Sequence, residues 1–172
     1  QCLPLIETGA ADRFGFGTAE IALACASHTG TARHTTIAGS MLTSIGLTEH
    51  SLCCGVQTPM GEKAARALFE SGGKPTQLHN NCSGKHAGML AVCAHMGWPL
   101  DGYRRPDHPL QKYLLTIVAA MSGLVEKEIV IANDGCGVPV HGMPLSSMAT
   151  AFARLANPSR LAPERVSATR AV

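Results

Sequence analysis

The segment Gly84–Met96 constrains the fold most strongly, because its pattern is helical and apolar on nearly all sides. A helix without a polar face must be buried by its neighbours. The residues at its start are then brought into the interior or to a cleft. These residues are chemically capable types, since His79–Gly88 reads H-N-N-C-S-G-K-H-A-G. We therefore expect this stretch to form the centre of a metal-containing enzyme site.

Length and composition are those of an ordinary globular protein. The 172 residues are enough for one domain, residues 1–172, with a sizeable core. Hydrophobic residues make up 45%, charged residues 15%, and the net charge is only +2. With no basic block and only 4% aromatics, the composition argues against a nucleic-acid partner.

The cysteines indicate a reducing compartment. There are seven, an odd number, and we expect Cys2, Cys25 and Cys93 to pack as small hydrophobes within apolar runs. No secretory signal pattern is present, and no apolar stretch is long enough to span a membrane. The sequence therefore favours a cytoplasmic protein with no membrane partner, in which clustered cysteines indicate metal binding or catalysis.

Both ends of the chain indicate an internal fragment of a longer protein. The chain opens at Gln1, directly in the apolar run Cys2–Ile6. It stops at Val172 in a polar segment after Pro158 and Pro163, with no closing element expected there.

Helices dominate the predicted elements, with a few short strands, and the fold class is α/β or mixed α+β. The predicted helices are Thr18–Ala26, Ala32–Ile45, Gly61–Ser71, Gly84–Met96, Pro109–Met121 and Leu145–Leu155. The predicted strands are a buried one at Glu128–Ala132 and two others at Leu52–Gly55 and Thr76–His79.

Three loops carry side chains capable of chemistry. In the first loop, Ser27 lies beside His28, which suggests that Ser27 is a nucleophile. Adjacent residues rarely orient as nucleophile and base, however, so we favour the interpretation that the Ser27 hydroxyl caps a helix. The third is Asp134–Gly137, in which Cys136 lies between glycines after a strand, where α/β active sites tend to lie. The pair Cys53–Cys54 is interpreted as structural.

The second loop begins the apolar helix. Cys82, Lys85 and His86 are spaced to converge near the helix start, and Asn80 and Asn81 add amides that could bind a polar substrate. The alternative is that an asparagine caps the helix, Cys82 is buried and Lys85 is solvated.

Chemistry alone selects a set of zinc ligands from the second and third loops. Cys82, Cys136 and His86 would hold a tetrahedral zinc with water in the fourth position.

Four segments together resemble the zinc-containing, Rhizobium-type L-asparaginases. They are L-P-L-I-E-T-G-A-A-D-R-F-G-F (Leu3–Phe16), A-L-A-C-A-S-H-T-G (Ala22–Gly30), L-H-N-N-C-S-G-K-H-A-G (Leu78–Gly88) and D-G-C-G-V-P (Asp134–Pro139). The resemblance implies a cytoplasmic homodimer that hydrolyses L-asparagine to L-aspartate and ammonia. It also implies a fold similar to serine β-lactamases and penicillin-binding proteins, here truncated at both ends.

The resemblance changes the ligand set. It implies Zn²⁺ held by Cys82, Lys85 and Cys136, with His86 displaced to a position beside the metal. A lysine ligand must be neutral, and the bound cation favours that form. The site residues expected to contact substrate are Ser27, His28, Asn80, Asn81, His86 and Asp134.

The resemblance also assigns catalytic roles. Ser27 matches the family's second catalytic serine, and Asp134 would help to hold the substrate or a zinc-bound water. The primary nucleophile, a serine in an S-x-x-K motif, would precede Gln1, and a partner lysine would follow Val172. The one S-x-x-K spacing present, Ser71–Lys74, falls on a Gly-Gly break and is interpreted as a helix end.

Three hypotheses follow. The chain is part of an asparaginase, part of a related glutaminase or amidase that keeps the zinc residues, or an inactive zinc-binding fragment.

Overall fold

The computed structural model describes all 172 residues as nine α-helices and one two-stranded antiparallel sheet. This helix-rich mixed fold agrees with the predicted class. The helices are α1 (Leu3–Glu7), α2 (Ala10–Phe14), α3 (Thr18–Cys25), α4 (Ala32–Ser44), α5 (Glu62–Glu70), α6 (Ser83–Met96), α7 (Pro109–Ser122), α8 (Leu145–Ala156) and α9 (Pro163–Ala171). The strands are β1 (Val130–Asn133) and β2 (Pro139–Gly142). No helix is long and apolar enough to cross a membrane.

The central element is α6, as its sequence predicts. Ten of its residues are buried, and α1, α2, α3, α4 and α7 all pack against it. Close approach depends on small residues, because a Cβ at Gly84 would lie 2.5 Å from the Cγ of Leu23 and 2.6 Å from its carbonyl oxygen. The main core of 23 buried residues surrounds this helix.

The two strands form a hairpin with no third strand, and β2 packs against α7. Val130 pairs with Gly142 and Asn133 with Pro139. The strand predicted at Glu128–Ala132 is confirmed with its start two residues later, but its predicted burial is wrong, since all four residues of β1 are exposed and Val130 is 67% exposed. A run of apolar residues indicates burial only when other elements cover both faces, and β1 has a single partner strand.

Two other predicted strands are wrong. Leu52–Gly55 is irregular and follows a short 3₁₀ turn, and the second candidate, Thr76–His79, contains the 3₁₀ turn Gln77–His79. That turn begins at Thr76, whose hydroxyl accepts a hydrogen bond from the backbone N–H of Leu78. Neither segment has a partner strand, so β propensity alone is not decisive.

All six predicted helices are confirmed to within one residue at each end. The sequence interpretation missed β2, the short helices α1 and α2, and the last helix, α9, where no closing element was expected. Cys93 is buried as expected, but Cys25 is exposed and Cys2 is half-buried. Of the three cysteines, only Cys93 therefore packs as a small hydrophobic residue.

A buried ion pair connects the first helix to the last. Arg165 of α9 donates from Nε to the carboxylate of Glu7 at 2.8 Å, and the hydroxyl of Tyr113 in α7 donates to the same carboxylate at 3.0 Å. A second small core, with Leu3 and Ala168 among its members, packs beside this network. The ends of the chain are therefore fastened to one another and to α7.

Candidate metal and substrate site

Two distant parts of the chain meet at the start of α6. Cys82 immediately precedes this helix, and Asp134 and Cys136 lie in the turn between β1 and β2. The sulfur atoms of both cysteines and a carboxylate oxygen of Asp134 all lie within 4.8 Å of one another. The structure therefore brings together the second and third loops that the sequence singles out.

The turn that carries Cys136 is closed by its own hydrogen bonds. The N–H of Asp134 donates to the carbonyl of Val138 at 2.9 Å, and the N–H of Gly137 donates to the carbonyl of Asp134 at 2.9 Å. The Asp134 carboxylate accepts from the N–H of Gly135 at 2.8 Å and from the Cys136 thiol at 3.3 Å. These bonds direct the carboxylate and the thiol toward the start of α6.

Lys85 places a positive charge beside Asp134. Its ammonium lies 3.5 Å from the Asp134 carboxylate, and its side chain is only 17% exposed. The Cys136 thiol, the Gly135 N–H and Lys85 together lower the pKa of Asp134 below its usual range. Burial raises the pKa of Cys136, and the bond from its thiol to the carboxylate raises it further. Asp134 is therefore ionised at neutral pH, with a cation and a thiol beside it.

This donor set suits a divalent metal ion, zinc in particular. Two sulfurs with nitrogen or oxygen donors form a typical tetrahedral zinc site, in which neighbouring donors are about 3.3–3.8 Å apart. The observed donors lie within 4.8 Å of one another, so a contraction of about 1 Å would bring them to bonding geometry. Cys82, Cys136 and Asp134 are the three residues positioned to do this, and Lys85 lies beside them through its contact with Asp134.

Asn80 holds the start of α6 in place. Its side-chain amide donates to the carbonyls of Cys54 and Gly55 at 2.9 and 3.2 Å, and its oxygen accepts from the N–H of Cys82 at 2.9 Å. All the hydrogens of this amide are engaged, so the structure shows Asn80 as the residue that orients Cys82. This arrangement resembles the alternative reading of a capping asparagine beside a buried cysteine.

Asn81 differs from its neighbour. Its backbone N–H donates to the side chain of Gln57 at 3.1 Å and its carbonyl accepts from the N–H of His28 at 3.0 Å. Its own side-chain amide makes no hydrogen bond within the protein, and it borders the open cavity described next. Asn81 is therefore free to bind a polar ligand.

An open cavity of about 520 Å³ joins these groups, a size that accommodates a small molecule. Its lining is formed by Ser27, Cys54, Val56, Gln57, Asn80, Asn81, Cys82, Lys85, Asp134, Gly135 and Cys136. The metal-type donors, Ser27 and Asn81 all border this one cavity. The cavity is thus polar at the positions where the sequence predicts a site.

The family model described as L-asparaginase II matches residues 1–172. The chain belongs to the L-asparaginase II family. Membership indicates a hydrolase that acts on a small-molecule substrate, with amide hydrolysis of asparagine as the activity the family name describes. No curated protein matches the chain.

Ser27 and His28 of this L-asparaginase II family member point to different places. Ser27 is exposed, borders the cavity, and its hydroxyl makes no hydrogen bond within the protein. His28 is buried, with Nε2 2.9 Å from the hydroxyl of Ser83, while its Nδ1 accepts from the N–H of Gly30 at 3.2 Å. Burial, with a contribution from His34, lowers the pKa of His28 to about 4. The neutral ring therefore donates from Nε2 to Ser83 and does not enter the cavity.

His86 lies within the core instead of the cavity wall. It is fully buried, and its Nδ1 lies 2.5 Å from the hydroxyl of Tyr103, which also accepts from the N–H of Cys53. Burial lowers the pKa of His86 to about 3, and the positive charges of Lys85 and Arg104 act in the same direction. Ser27, Asn81 and the metal-type donors all border the cavity, whereas His86 lies in the core and does not border it.

Sequence reasoning missed two positions in this family member's site. Gln57 accepts from the N–H of Asn81 and borders the cavity, and Tyr103 orients the ring of His86. The only signal for Gln57 in the sequence was its polar side chain, two positions after Gly55. Nothing in the local sequence marks Tyr103, because its contacts are all distant along the chain.

Proposed function

We propose that these residues form the metal and substrate half of an amidohydrolase site that converts L-asparagine to L-aspartate and ammonia. The proposal rests on the cavity described above, in a chain that belongs to the L-asparaginase II family. The Cys82, Asp134 and Cys136 donors share this cavity with Ser27 and Asn81. This proposal selects the first of the three hypotheses.

Zinc is the metal proposed for the donor set. Cys82 and Cys136 would hold it through their thiolates, and Lys85 in its neutral form would be the third ligand. Bound zinc would supply a Lewis-acid centre that orients a polar substrate group. The Asp134 carboxylate lies 3.5 Å from the ammonium of Lys85, and we propose that it would turn to hold the substrate's ammonium or a water if Lys85 ligates zinc.

The remaining cavity groups suit a small amide substrate with charged ends. The free amide of Asn81 can donate to the substrate carboxylate, and the ionised Asp134 can accept from the substrate ammonium. Ser27, whose hydroxyl is unengaged, would relay protons near the scissile amide. Asn80 and His28 would act through the residues they orient, since each makes its polar contacts to the protein. His86 would act through the contact of its Nδ1 with Tyr103, while its buried Nε2 has no hydrogen-bond partner.

We infer that the attacking serine lies outside these 172 residues. The S-x-x-K spacing at Ser71–Lys74 does not place the lysine beside the serine, because α5 ends at Glu70 and Gly72 adopts a left-handed conformation with φ of 74°. The Ser71 hydroxyl donates to the carbonyl of Leu68, as expected for a helix end. A Ser-x-x-Lys pair on a helix would have to be supplied by another part of the protein.

The family resemblance supports three wider proposals. We infer a fold related to serine β-lactamases and penicillin-binding proteins, a homodimeric state and a cytoplasmic location. Light scattering of the full protein would test the dimer. A monomer at micromolar concentration would contradict that part of the proposal.

The decisive experiment is ammonia release from asparagine and glutamine by the full-length protein. We expect turnover of asparagine and a Ser27→Ala loss of roughly 100-fold or more in kcat/KM, the usual contribution of a proton-transfer group. Ser71→Ala is the matched control, since Ser71 is exposed and lies outside the cavity, and it should leave turnover unchanged. Preferential turnover of glutamine would favour the related-amidase hypothesis. No ammonia from either substrate, with zinc retained, would favour the inactive zinc-binding hypothesis.

A further inference from the structure

Two cysteines outside the metal-type cluster lie in contact. The sulfur of Cys25 is 3.1 Å from the sulfur of Cys2, although the residues are 23 positions apart. Cys25 is exposed and Cys2 is half-buried, so reagents in solution can reach the pair. The other five cysteines include no second thiol–thiol contact of this kind. Neither thiol has a part in the proposed hydrolysis.

The fold holds this pair together through α6. Cys2 immediately precedes α1 and Cys25 ends α3, and both helices pack on α6. A Cβ at Gly88 would lie 3.2 Å from the Cβ of Ala24 and 3.7 Å from a methyl of Leu5, so there is little space between the three helices. The thiol contact is therefore fixed by core packing and does not depend on a loose loop.

The local chemistry favours exchange at this pair. The Cys25 thiol donates to the sulfur of Cys2 at 3.1 Å, and this hydrogen bond lowers the pKa of Cys2, which favours its thiolate form. Burial raises the pKa values of Cys54 and Cys93 to about 12, which leaves those thiols unreactive. A thiolate beside a second, exposed thiol is the arrangement of an attacking and a resolving cysteine.

We propose that Cys2 and Cys25 form a reversible disulfide when the protein meets a small-molecule disulfide such as glutathione disulfide. The Cys2 thiolate attacks one sulfur of the oxidant, forms a mixed disulfide and releases one glutathione thiolate. Cys25 then loses its proton and attacks the sulfur of Cys2, which releases the second glutathione. Two protein thiols become one disulfide, and one glutathione disulfide is reduced to two glutathione molecules.

The bond would fix the backbone just before Ser27. A cavity of about 160 Å³ is bordered by Gln1, Cys25, Ala26, Ser27, Cys82 and Lys85, so the oxidised pair would lie at the edge of the proposed site. The disulfide itself rests only on the thiol geometry. It can therefore be tested without any measurement of hydrolysis.

The test is peptide mapping after incubation of the purified protein in glutathione disulfide, followed by acid quenching and alkylation. Trypsin cleaves after Arg13 and Arg33, which places Cys2 on the peptide that ends at Arg13 and Cys25 on peptide 14–33. We expect these two peptides to be linked, two thiols to be lost, and dithiothreitol to reverse both changes. Separate recovery of the two peptides, alkylated or glutathionylated, would overturn the proposal, as would linkage of Cys25 to Cys82.

Two variants sharpen the test. Cys25→Ser, a change at an exposed position, should leave a glutathione mixed disulfide on Cys2 with no linked peptide. Cys53→Ser is the matched control at another exposed cysteine and should leave the linked peptide at the wild-type level. Oxidation should also raise the melting temperature by several degrees in the wild type and in Cys53→Ser only. An equal rise in Cys25→Ser would contradict the assignment.

Discussion

The two regions that supply the metal-type donors differ in how they are held. Cys82 stands at the start of α6, where the amide of Asn80 and the surrounding core fix it. Cys136 stands in the turn of a two-stranded hairpin whose first strand is wholly exposed, although Cys136 and Val138 themselves are buried in the main core. The helix side is therefore preorganised by packing along its whole length. The hairpin side combines the burial of these two residues with local hydrogen bonds and the Lys85–Asp134 contact, so a bound metal would add most to its stability.

Matched glycine substitutions provide the strongest expected contrast between the two regions. Gly84→Ala should lower the free energy of unfolding by about 2–3 kcal/mol, because the new methyl would overlap Leu23 in the core. Gly135→Ala in the hairpin turn should change it by less than about 0.5 kcal/mol, since a Cβ there meets nothing within 4 Å. Urea unfolding of both variants measures this. Equal losses would show that the two regions are packed alike.

The next effect is expected at Asn80. Asn80→Ala removes three hydrogen bonds that orient Cys82 and the Cys54–Gly55 carbonyls, and it should destabilise the protein by about 2 kcal/mol. Asn81→Ala is the neighbouring control. The side chain of Asn81 makes no hydrogen bond within the protein, so its loss should leave stability nearly unchanged and raise KM for the substrate. Reversed effects at the two asparagines would contradict the roles assigned to them.

Zinc removal should loosen only the hairpin. In hydrogen exchange of the zinc-loaded protein, treatment with a chelator should speed exchange at the N–H groups of Asp134 and Gly137 by roughly tenfold, about 1.4 kcal/mol. The amides in the middle of α6, around Leu90, should exchange at the same rate in both states, because packing holds them. Faster exchange throughout α6 would mean that the metal also organises the core.

Acid should weaken the helix side first. His28 contacts Ser83 of α6, and its pKa in the folded protein, about 4, lies below the 6.5 of the unfolded chain. The unfolded state therefore binds a proton more readily, so protonation of His28 should lower stability between pH 6.5 and 4 by up to about 3 kcal/mol, and protonation of buried His86, whose pKa is about 3, should continue the decline. Chemical denaturation across this range measures it. His28→Gln should reduce the decline, and His50→Gln, at a residue outside the core, should not.

The contrast between the helix side and the hairpin side of the site also explains which features the sequence could predict. The six predicted helices follow from local sequence patterns, and each was located to within one residue. The meeting of Cys82 with Cys136 depends on how a distant hairpin folds back; donor chemistry suggested it, and the family resemblance then replaced His86 with Lys85 in the expected ligand set. Spacing alone favoured His86, because sequence distance does not show that its ring contacts Tyr103 inside the core.

The exposed hairpin and the thiol contact were beyond local reasoning. The apolar residues of β1 indicate burial by their composition, but their exposure depends on which elements cover them. Cys2 and Cys25 each lie in an apolar run, and only the packing of α1 and α3 on α6 brings their sulfurs together. The predicted roles of Ser27, Asn81 and Asp134 stay predictions that the cavity geometry supports.

The central claim is that Cys82 and Cys136 jointly hold one zinc ion, and metal analysis of the purified full-length protein tests it most directly. We expect about one zinc per chain in the wild type and in Cys53→Ser, whose altered thiol is exposed and outside the cluster. Cys82→Ser and Cys136→Ser should each lose most of the zinc. Full zinc content in either of these two variants, or none in the wild type, would contradict the claim.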